Sequence, residues 1–219
     1  VGALLTALIL LFAVPQLIST RIVRDGIMAE PQILADAADA LRDQQYAPIL
    51  ADNRAALETP FGSSWKGAEK PEVVLVEFYD YACSYCRASV PVIERLLSEE
   101  KGLRVVYREF PILGPESVAA ARLSLAASKA GRFSQFHDAL FAAGRPGPQT
   151  IAEAAGAAGI EPQVPDSQDV EAELKRNFEL AGQLGATGTP MFVIGDRVLN
   201  GAVGYDVLKE AIADAKAKG

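Results

Sequence analysis

One stretch of the chain constrains its fold more than any other: Glu72 to Cys86, EVVLVEFYDYACSYC. Glu72 to Tyr79 is a run of apolar β-formers interrupted by a single acid, Glu77, which suits a central strand buried on both faces. Ser84 to Glu100 then takes up helical spacing, with Val90, Ile93, Leu96 and Leu97 on one face. Pro91 inside it predicts a kink, and Gly102 an end. Between strand and helix stands Cys83-Ser84-Tyr85-Cys86. Two intervening residues at the head of a helix let both sulfurs reach bonding distance within one turn. The partial positive charge of the helix N-terminus favours a thiolate at the first cysteine. A thiolate is the nucleophile of disulfide exchange, and a second cysteine resolves the mixed disulfide. Strand, CxxC and helix in this order form the context in which the spacing signals redox chemistry. A static disulfide across so short a loop would restrict the unfolded chain little. A zinc site needs four ligands, and the chain holds two cysteines and one histidine.

The rest of the chain continues the alternation. Leu103 to Phe110 reads as a second strand stopped by Pro111. Glu116 to Leu184 is helical and Ala-rich, broken at Gly131, at Gly144 to Pro148 and at Glu161 to Pro165. Met191 to Ile194 and Arg197 to Leu199 are short strands joined by Gly195-Asp196, a hairpin signal. Tyr205 to Ala217 closes the chain as a helix. The expected fold class is α/β with a mixed sheet: a parallel, right-handed βαβ unit and an antiparallel hairpin. The Gly-, Ser- and Pro-rich stretch Thr59 to Pro71 reads as a linker or irregular edge. The expected domain therefore covers 59–219, with a helical insertion over about 115–184.

Residues 1–20 carry no charge, and Ala3 to Val14 is their densest apolar part. Its length fits the core of a signal peptide. Extended through Ile18 it approaches the roughly 20 residues of a spanning helix. Neither Leu11-Phe12-Ala13 nor Ile18-Ser19-Thr20 makes a good cleavage site, so an uncleaved membrane anchor is favoured over a cleaved signal. Either reading places the body outside the cytoplasm, where thiol pairs can be oxidised. Residues 21–58 follow as a helical segment opened by Pro31, with a narrow stripe of Ile33, Leu34, Ala37, Ala38 and Leu41. The stripe fits packing on its own domain and self-association equally well. A net charge of −7 argues against nucleic acid as a partner.

Val76 to Cys86 resembles the active-site segment of DsbA-like proteins of the thioredoxin fold. Gly185-Ala186-Thr187-Gly188-Thr189-Pro190-Met191-Phe192 resembles the family's cis-proline loop, and Gly201-Ala202 before the last helix also fits. Ile22 to Gln45 resembles the N-terminal oligomerisation segment of ScsC-like members. The resemblance implies a thioredoxin fold and an extracytoplasmic oxidoreductase or isomerase of exported proteins. It implies a redox partner protein, a homo-oligomer through residues 21–58 and no cofactor. Cys83 and Cys86 would be catalytic. Pro190 would be cis against them, with Thr189 presenting its backbone to an extended substrate chain and Ser84 and Tyr85 beside it. Thr before that proline leans toward isomerase or reductase use, whereas DsbA-type oxidases tend to carry Val. Ser84-Tyr85 also lacks the His found between the cysteines of those oxidases, which makes the pair less oxidising.

In the family an acid at the position of Glu77 lies beneath the cysteines and relays protons; burial would raise its pKa into the useful range. The alternative is an ion-paired acid with Arg87 as partner. Asp80 reads as a turn or helix-capping residue. His137, among Phe133, Phe136, Leu140 and Phe141, reads as a packed histidine of an amphipathic helix. The acids of Glu161 to Glu173 read as a solvated face. ScsC-like relatives are associated with copper tolerance, which makes Cys83 and Cys86 a candidate soft-ligand pair for Cu(I).

Overall fold

The computed structural model describes residues 20–163 and 167–218. The apolar segment expected to anchor or export the protein lies outside the described residues, Thr20 excepted. Among the described residues no helix is long and apolar enough to cross a membrane. The chain falls into two compact units, Val1–Gln45 and Tyr46–Gly219.

In the first unit, helix α1 occupies residues 20–29 and α2 (Gln32–Glu58) begins at the expected Pro31 boundary. Ile33, Leu34 and Leu41 of the apolar stripe are all exposed.

The second unit is built on a five-stranded sheet in the order β1-β3-β2-β4-β5. These are β1 (Trp65–Gly67), β2 (Val73–Tyr79), β3 (Leu103–Glu109), β4 (Met191–Ile194) and β5 (Arg197–Asn200). β2 pairs parallel with β3 and antiparallel with β4; β1 and β5 close the edges antiparallel. The expected mixed thioredoxin-type sheet is therefore present. α3 (Ser84–Glu99) makes the crossover from β2 to β3 and runs through Pro91 without a break in its span. The Ala-rich block forms α4 (Pro115–Lys129), α5 (Phe133–Ala143), α6 (Pro148–Ala158) and α7 (Gln168–Gln183), and α8 (Tyr205–Lys218) ends the chain.

Part of the stretch read as a linker or irregular edge is a regular edge strand. Trp65–Gly67 pairs with Arg104 to Val106, and the Tyr107 amide donates to the Ser64 carbonyl at 3.0 Å. A three-residue edge strand needs only backbone partners, so Gly- and Ser-rich composition does not forbid it.

Alternation along β2 and β3 sorts the core into two faces. Leu75 and Tyr79 of β2, with Val105 and Tyr107 of β3, join the cysteines, Ile93, Leu96, Phe133 and Phe136. Val76, Phe78, Val106 and Phe110 pack instead with Met191, Val193, Leu180 and Leu184, and with Leu50 and Leu57 of α2. These last two are almost fully buried, which explains why the compact unit begins at Tyr46 rather than at 59. Each is worth about 1.5–3 kcal/mol by area removed from water.

Arg108 fixes that second face. Its guanidinium donates to the carbonyls of Ala56, Leu57 and Thr59, where the last turn of α2 leaves carbonyls without helical partners. It also pairs with Glu173 Oε1 at 2.5 Å, and both side chains are buried. The expectation of a solvated acidic face thus fails at Glu173. The spacing Val170, Glu173, Leu174, Asn177, Leu180, Ala181 puts it on the inner stripe of α7. Glu171 does face solvent, paired with Arg122 at 2.6 Å.

Arg108→Ala leaves Glu173 charged and buried and should lower unfolding free energy by about 3–5 kcal/mol. Arg122→Ala should lose about 1 kcal/mol or less. Urea unfolding of the two variants checks the contrast; equal losses would show that the buried pair is not what holds α2 and α7 to the sheet.

Candidate active site

Local backbone chemistry sets the position of the cysteines. β2 ends at Tyr79, and Asp80 makes the turn that follows. Asp80 Oδ1 accepts from the Ala82 amide at 2.7 Å, and its carbonyl accepts from the Cys83 amide at 3.0 Å. Oδ2 accepts from the amides of Ile112 and Leu113 at 2.8 and 2.9 Å. Asp80 is thus a buried turn residue that also ties down the loop after β3. It does not cap the helix: the N-cap of α3 is Cys83 itself, with φ −78° and ψ 119°.

Cys83 therefore sits at the positive end of α3 with Cys86 one turn on. Both are free thiols. The Thr189–Pro190 peptide is cis, and Cys83 Sγ donates to the Thr189 carbonyl at 3.2 Å. Four of the expected site residues (Cys83, Cys86, Thr189 and Pro190) are thus brought together from the two ends of the domain. Thr187 to Pro190, Asn200 and Gly201 line a groove of about 320 Å³. Ser84 is exposed, and Tyr85 between the cysteines is 66% exposed, whereas Cys83 keeps 6% and Cys86 none. Of the pair, Cys83 is the one that keeps contact with solvent. Burial pushes the Cys86 thiol far up, with the Glu77 charge adding to the effect.

Glu77 lies on β2, on the face shared with Leu75 and Tyr79, and is 3% exposed. Burial raises its carboxyl to about 8, and negative charge on Cys83 adds to this. Lys66 of β1 pulls the other way. The alternative of an Arg87 ion pair is not realised: Arg87 Nε and Nη2 are buried without hydrogen-bond partners, and Lys66 is the cation that acts on the acid.

Three residues of this neighbourhood escaped the sequence reading. Lys66 lay inside the presumed linker. Tyr107 stands opposite Glu77 in the β2–β3 register, and Glu109 stands opposite Tyr79. Period-two spacing, which puts Tyr107 and Glu109 on the face of Leu103 and Val105, was the available signal for the last two. His137 is placed as expected: it is buried among Tyr79, Tyr81, Tyr107, Phe133 and Phe141, and burial holds it down to about 4.

A CxxC at the head of the crossover helix, opposite a cis-proline loop on a five-stranded mixed sheet, defines a thioredoxin-fold protein. The model of the DSBA-like thioredoxin domain matches residues 74–213, and the chain belongs to that family. The model of the copper resistance protein ScsC N-terminal domain matches residues 20–47. Among solved structures, ScsC of Proteus mirabilis in a transitional conformation is 30% identical at a TM-score of 0.73, with 94% of this chain and 99% of that one covered. A thioredoxin-like oxidoreductase from Silicibacter pomeroyi is 33% identical at 0.71, covering 75% and 98%. A periplasmic thioredoxin-like protein from Salmonella enterica serovar Typhimurium is 30% identical at 0.69, covering 75% and 95%. A curated relative, Na(+)/H(+) antiporter NhaA 1 of Salinispora arenicola, is 27% identical over 168 residues. The chain spans only 24% of that relative, and 12% of the related NhaA 3 of Salinispora tropica.

Glu77 ionises near 4.5 when unfolded and near 8 when folded. Above 4.5 the unfolded chain releases a proton that the native state keeps, so native stability falls as pH rises toward 8. Glu77→Gln removes this slope and should gain on the order of a few kcal/mol over the wild type at pH 8, and little at pH 4. Urea unfolding at several pH values measures it; a constant difference would show that the carboxyl is not held neutral.

Proposed function

We propose that this chain is an extracytoplasmic thiol–disulfide oxidoreductase acting on exported proteins, with Cys83 as nucleophile and Cys86 as resolving thiol. The single observation that carries the reading is the convergence of the Cys83 sulfur, the Thr189 carbonyl 3.2 Å away and the cis Pro190 peptide at the tip of α3.

In the reducing direction, the Cys83 thiolate attacks one sulfur of a substrate disulfide. A Cys83–substrate disulfide forms, and the other substrate sulfur leaves as thiolate. Cys86 passes its proton to the Glu77 carboxylate, and its thiolate attacks Cys83 Sγ. The substrate's second sulfur leaves, and the Cys83–Cys86 disulfide holds the two oxidising equivalents. The oxidising direction is the reverse, with Glu77 returning the proton. In isomerisation a substrate thiolate displaces Cys83 before Cys86 attacks. A carboxyl titrating near 8 can take or give a proton around neutrality. The Thr189 backbone would pair with the substrate chain as an added strand along the groove, with Ser84 and Tyr85 touching it at the helix tip. Thr189 and the absence of a cation between the cysteines favour isomerase or reductase use.

The extracytoplasmic location is supported by the uncharged segment 1–20, as signal or membrane anchor, and by likeness to a periplasmic protein. Homo-oligomerisation through residues 21–58 is supported by the match over 20–47 and by the exposed Ile33, Leu34 and Leu41. Several sites in one assembly would act together on one misfolded client, alongside a redox partner protein that resets the cysteines. Copper binding by Cys83 and Cys86 gains less support. Met191 packs in the core cluster of the opposite sheet face, and the His137 ring is enclosed by aromatic side chains.

Cys83→Ser should abolish insulin reduction and scrambled-ribonuclease reactivation, while Cys86→Ser should accumulate mixed disulfides visible on non-reducing gels. Full activity of the Cys83 variant would refute the reading. A Leu34→Asp/Leu41→Asp variant should sediment at a smaller mass than the wild type; an unchanged mass would remove the stripe as an assembly surface.

A further inference from the structure

The sheet face that carries Glu77 holds a second buried acid. Glu109 stands opposite Tyr79 on the parallel neighbour of β2, as Tyr107 stands opposite Glu77. The two acids are thus two register positions apart on adjacent strands and point to the same face. Glu109 is 2% exposed. One of its oxygens, Oε1, accepts from the Tyr79 hydroxyl. The other, Oε2, is buried and has no hydrogen-bond partner. Tyr79 and Tyr81 join hydroxyls at 3.1 Å, and Tyr81 meets Ser124 Oγ at 2.9 Å. Among the described residues no cation pairs with Glu109. Burial works against the ionised form of Glu109, while the Ser124 and Tyr79 hydroxyls beside it work for that form. Burial outweighs those hydroxyls, so Glu109 holds its proton more tightly than an exposed carboxyl does.

We propose that Glu77 and Glu109 form a coupled pair of buried carboxyls, with Glu109 as a positioning residue that governs when Glu77 can give up its proton to, or take one from, the Cys86 thiol. Ionisation of either acid makes ionisation of the other harder, because both share one poorly solvated face. The pair therefore carries at most one negative charge around neutrality. Its protons leave in two macroscopic steps that belong to the pair, not to either residue. Burial raises each acid to about 8, and repulsion by Glu109 adds a smaller push on Glu77.

The groups facing the pair come from every element packed on it. Glu77 faces Cys83 and Cys86 of α3, Lys66 of β1 and Tyr107 of β3. Glu109 faces Tyr79, Tyr81, Asp80 and Ser124. Of these, Lys66 alone is a cation, and it acts on Glu77; it leans toward Asp138, with which it pairs at 2.5 Å. The His137 ring, edge-on to Tyr79, is neutral above about 4 and adds no charge. Lys66 therefore biases the shared charge toward Glu77, while both acids still titrate in the same range.

What the pair does for exchange rests on Glu77 being the proton carrier proposed above, but the coupling can be measured without any exchange reaction. Carboxyl carbon shifts of 13C-Glu-labelled full-length protein, followed from pH 4 to 10, report each acid. In the wild type, Glu77 should titrate over two steps separated by about one pK unit. In Glu109→Gln, which keeps an acceptor for the Tyr79 hydroxyl, Glu77 should titrate in one step at lower pH. Reciprocally, Glu77→Gln should lower the titration of Glu109 by the same amount, since linkage is symmetric. This second variant keeps the test alive if the first does not fold. The acid limb of the exchange rate should move with Glu77 in Glu109→Gln. If each acid titrates in one step that the other's substitution leaves in place, the pair is not coupled and the proposal falls. If the shifts couple but exchange rates ignore them, the coupling stands and the relay role of Glu77 fails instead.

Discussion

A carboxyl group in the central strand of a sheet covered on both faces cannot be hydrated as a charge, and the chemistry of this site starts from that fact. Glu77 has β3 on one side and β4 on the other, and core side chains above and below. Desolvation there acts on a carboxylic acid and on the neighbouring Cys86 thiol in the same direction: both resist ionising. Raising the carboxyl toward the thiol narrows the gap against which a proton must move from Cys86 to Glu77, although the thiol remains the weaker acid. A carboxylate on the surface would stay ionised through neutrality and give the buried thiol no proton back.

The remaining requirement is that the groups be held in register, and the chain does this with backbone contacts. Asp80 ties the start of α3 to the loop after β3 through three amides. On the other side the Thr189 carbonyl accepts from Cys83. The Gly201 amide in turn donates to the Pro190 carbonyl at 2.8 Å, which fixes the loop to the far end of the β4–β5 hairpin. The exposed elements, Ser84 and Tyr85, are then the parts of the motif free to meet another molecule, while Cys86 stays behind them.

How far the sequence discloses this depends on the range of the interaction concerned. The strand–CxxC–helix succession, the parallel β2–β3 pair and the β4–β5 hairpin follow from local pattern, and each is present. The buried placement of Glu77 follows from its setting in a run of β-formers. The cis Thr189–Pro190 bond came from family resemblance, because spacing alone does not separate Pro190 from the other prolines. What was missed depends on contacts between distant segments. Trp65–Gly67 has no strand pattern of its own and becomes one only beside β3. Glu173 sits among charged residues in sequence, and only Arg108 from another element reveals that it is buried. Residues 46–58 look like a continuation of the stalk until Leu50 and Leu57 are seen against the sheet.

Arg108 and Glu109 show the same point on the smallest scale. They are neighbours in sequence with opposite charges, and on an exposed strand they would be unremarkable. On β3 their side chains leave the sheet in opposite directions. Arg108 enters the face covered by α2 and α7, where it finds Glu173 and three carbonyls and remains a cation. Glu109 enters the face covered by α3 to α5, where it finds hydroxyls and burial raises its carboxyl to about 8. The two cannot neutralise one another across the strand. One residue fixes the architecture of one face, while the other tunes the protons of the opposite face, so a shift of β3 by a single residue would put Arg108 among the hydroxyls and set the Glu109 carboxyl beside Glu173.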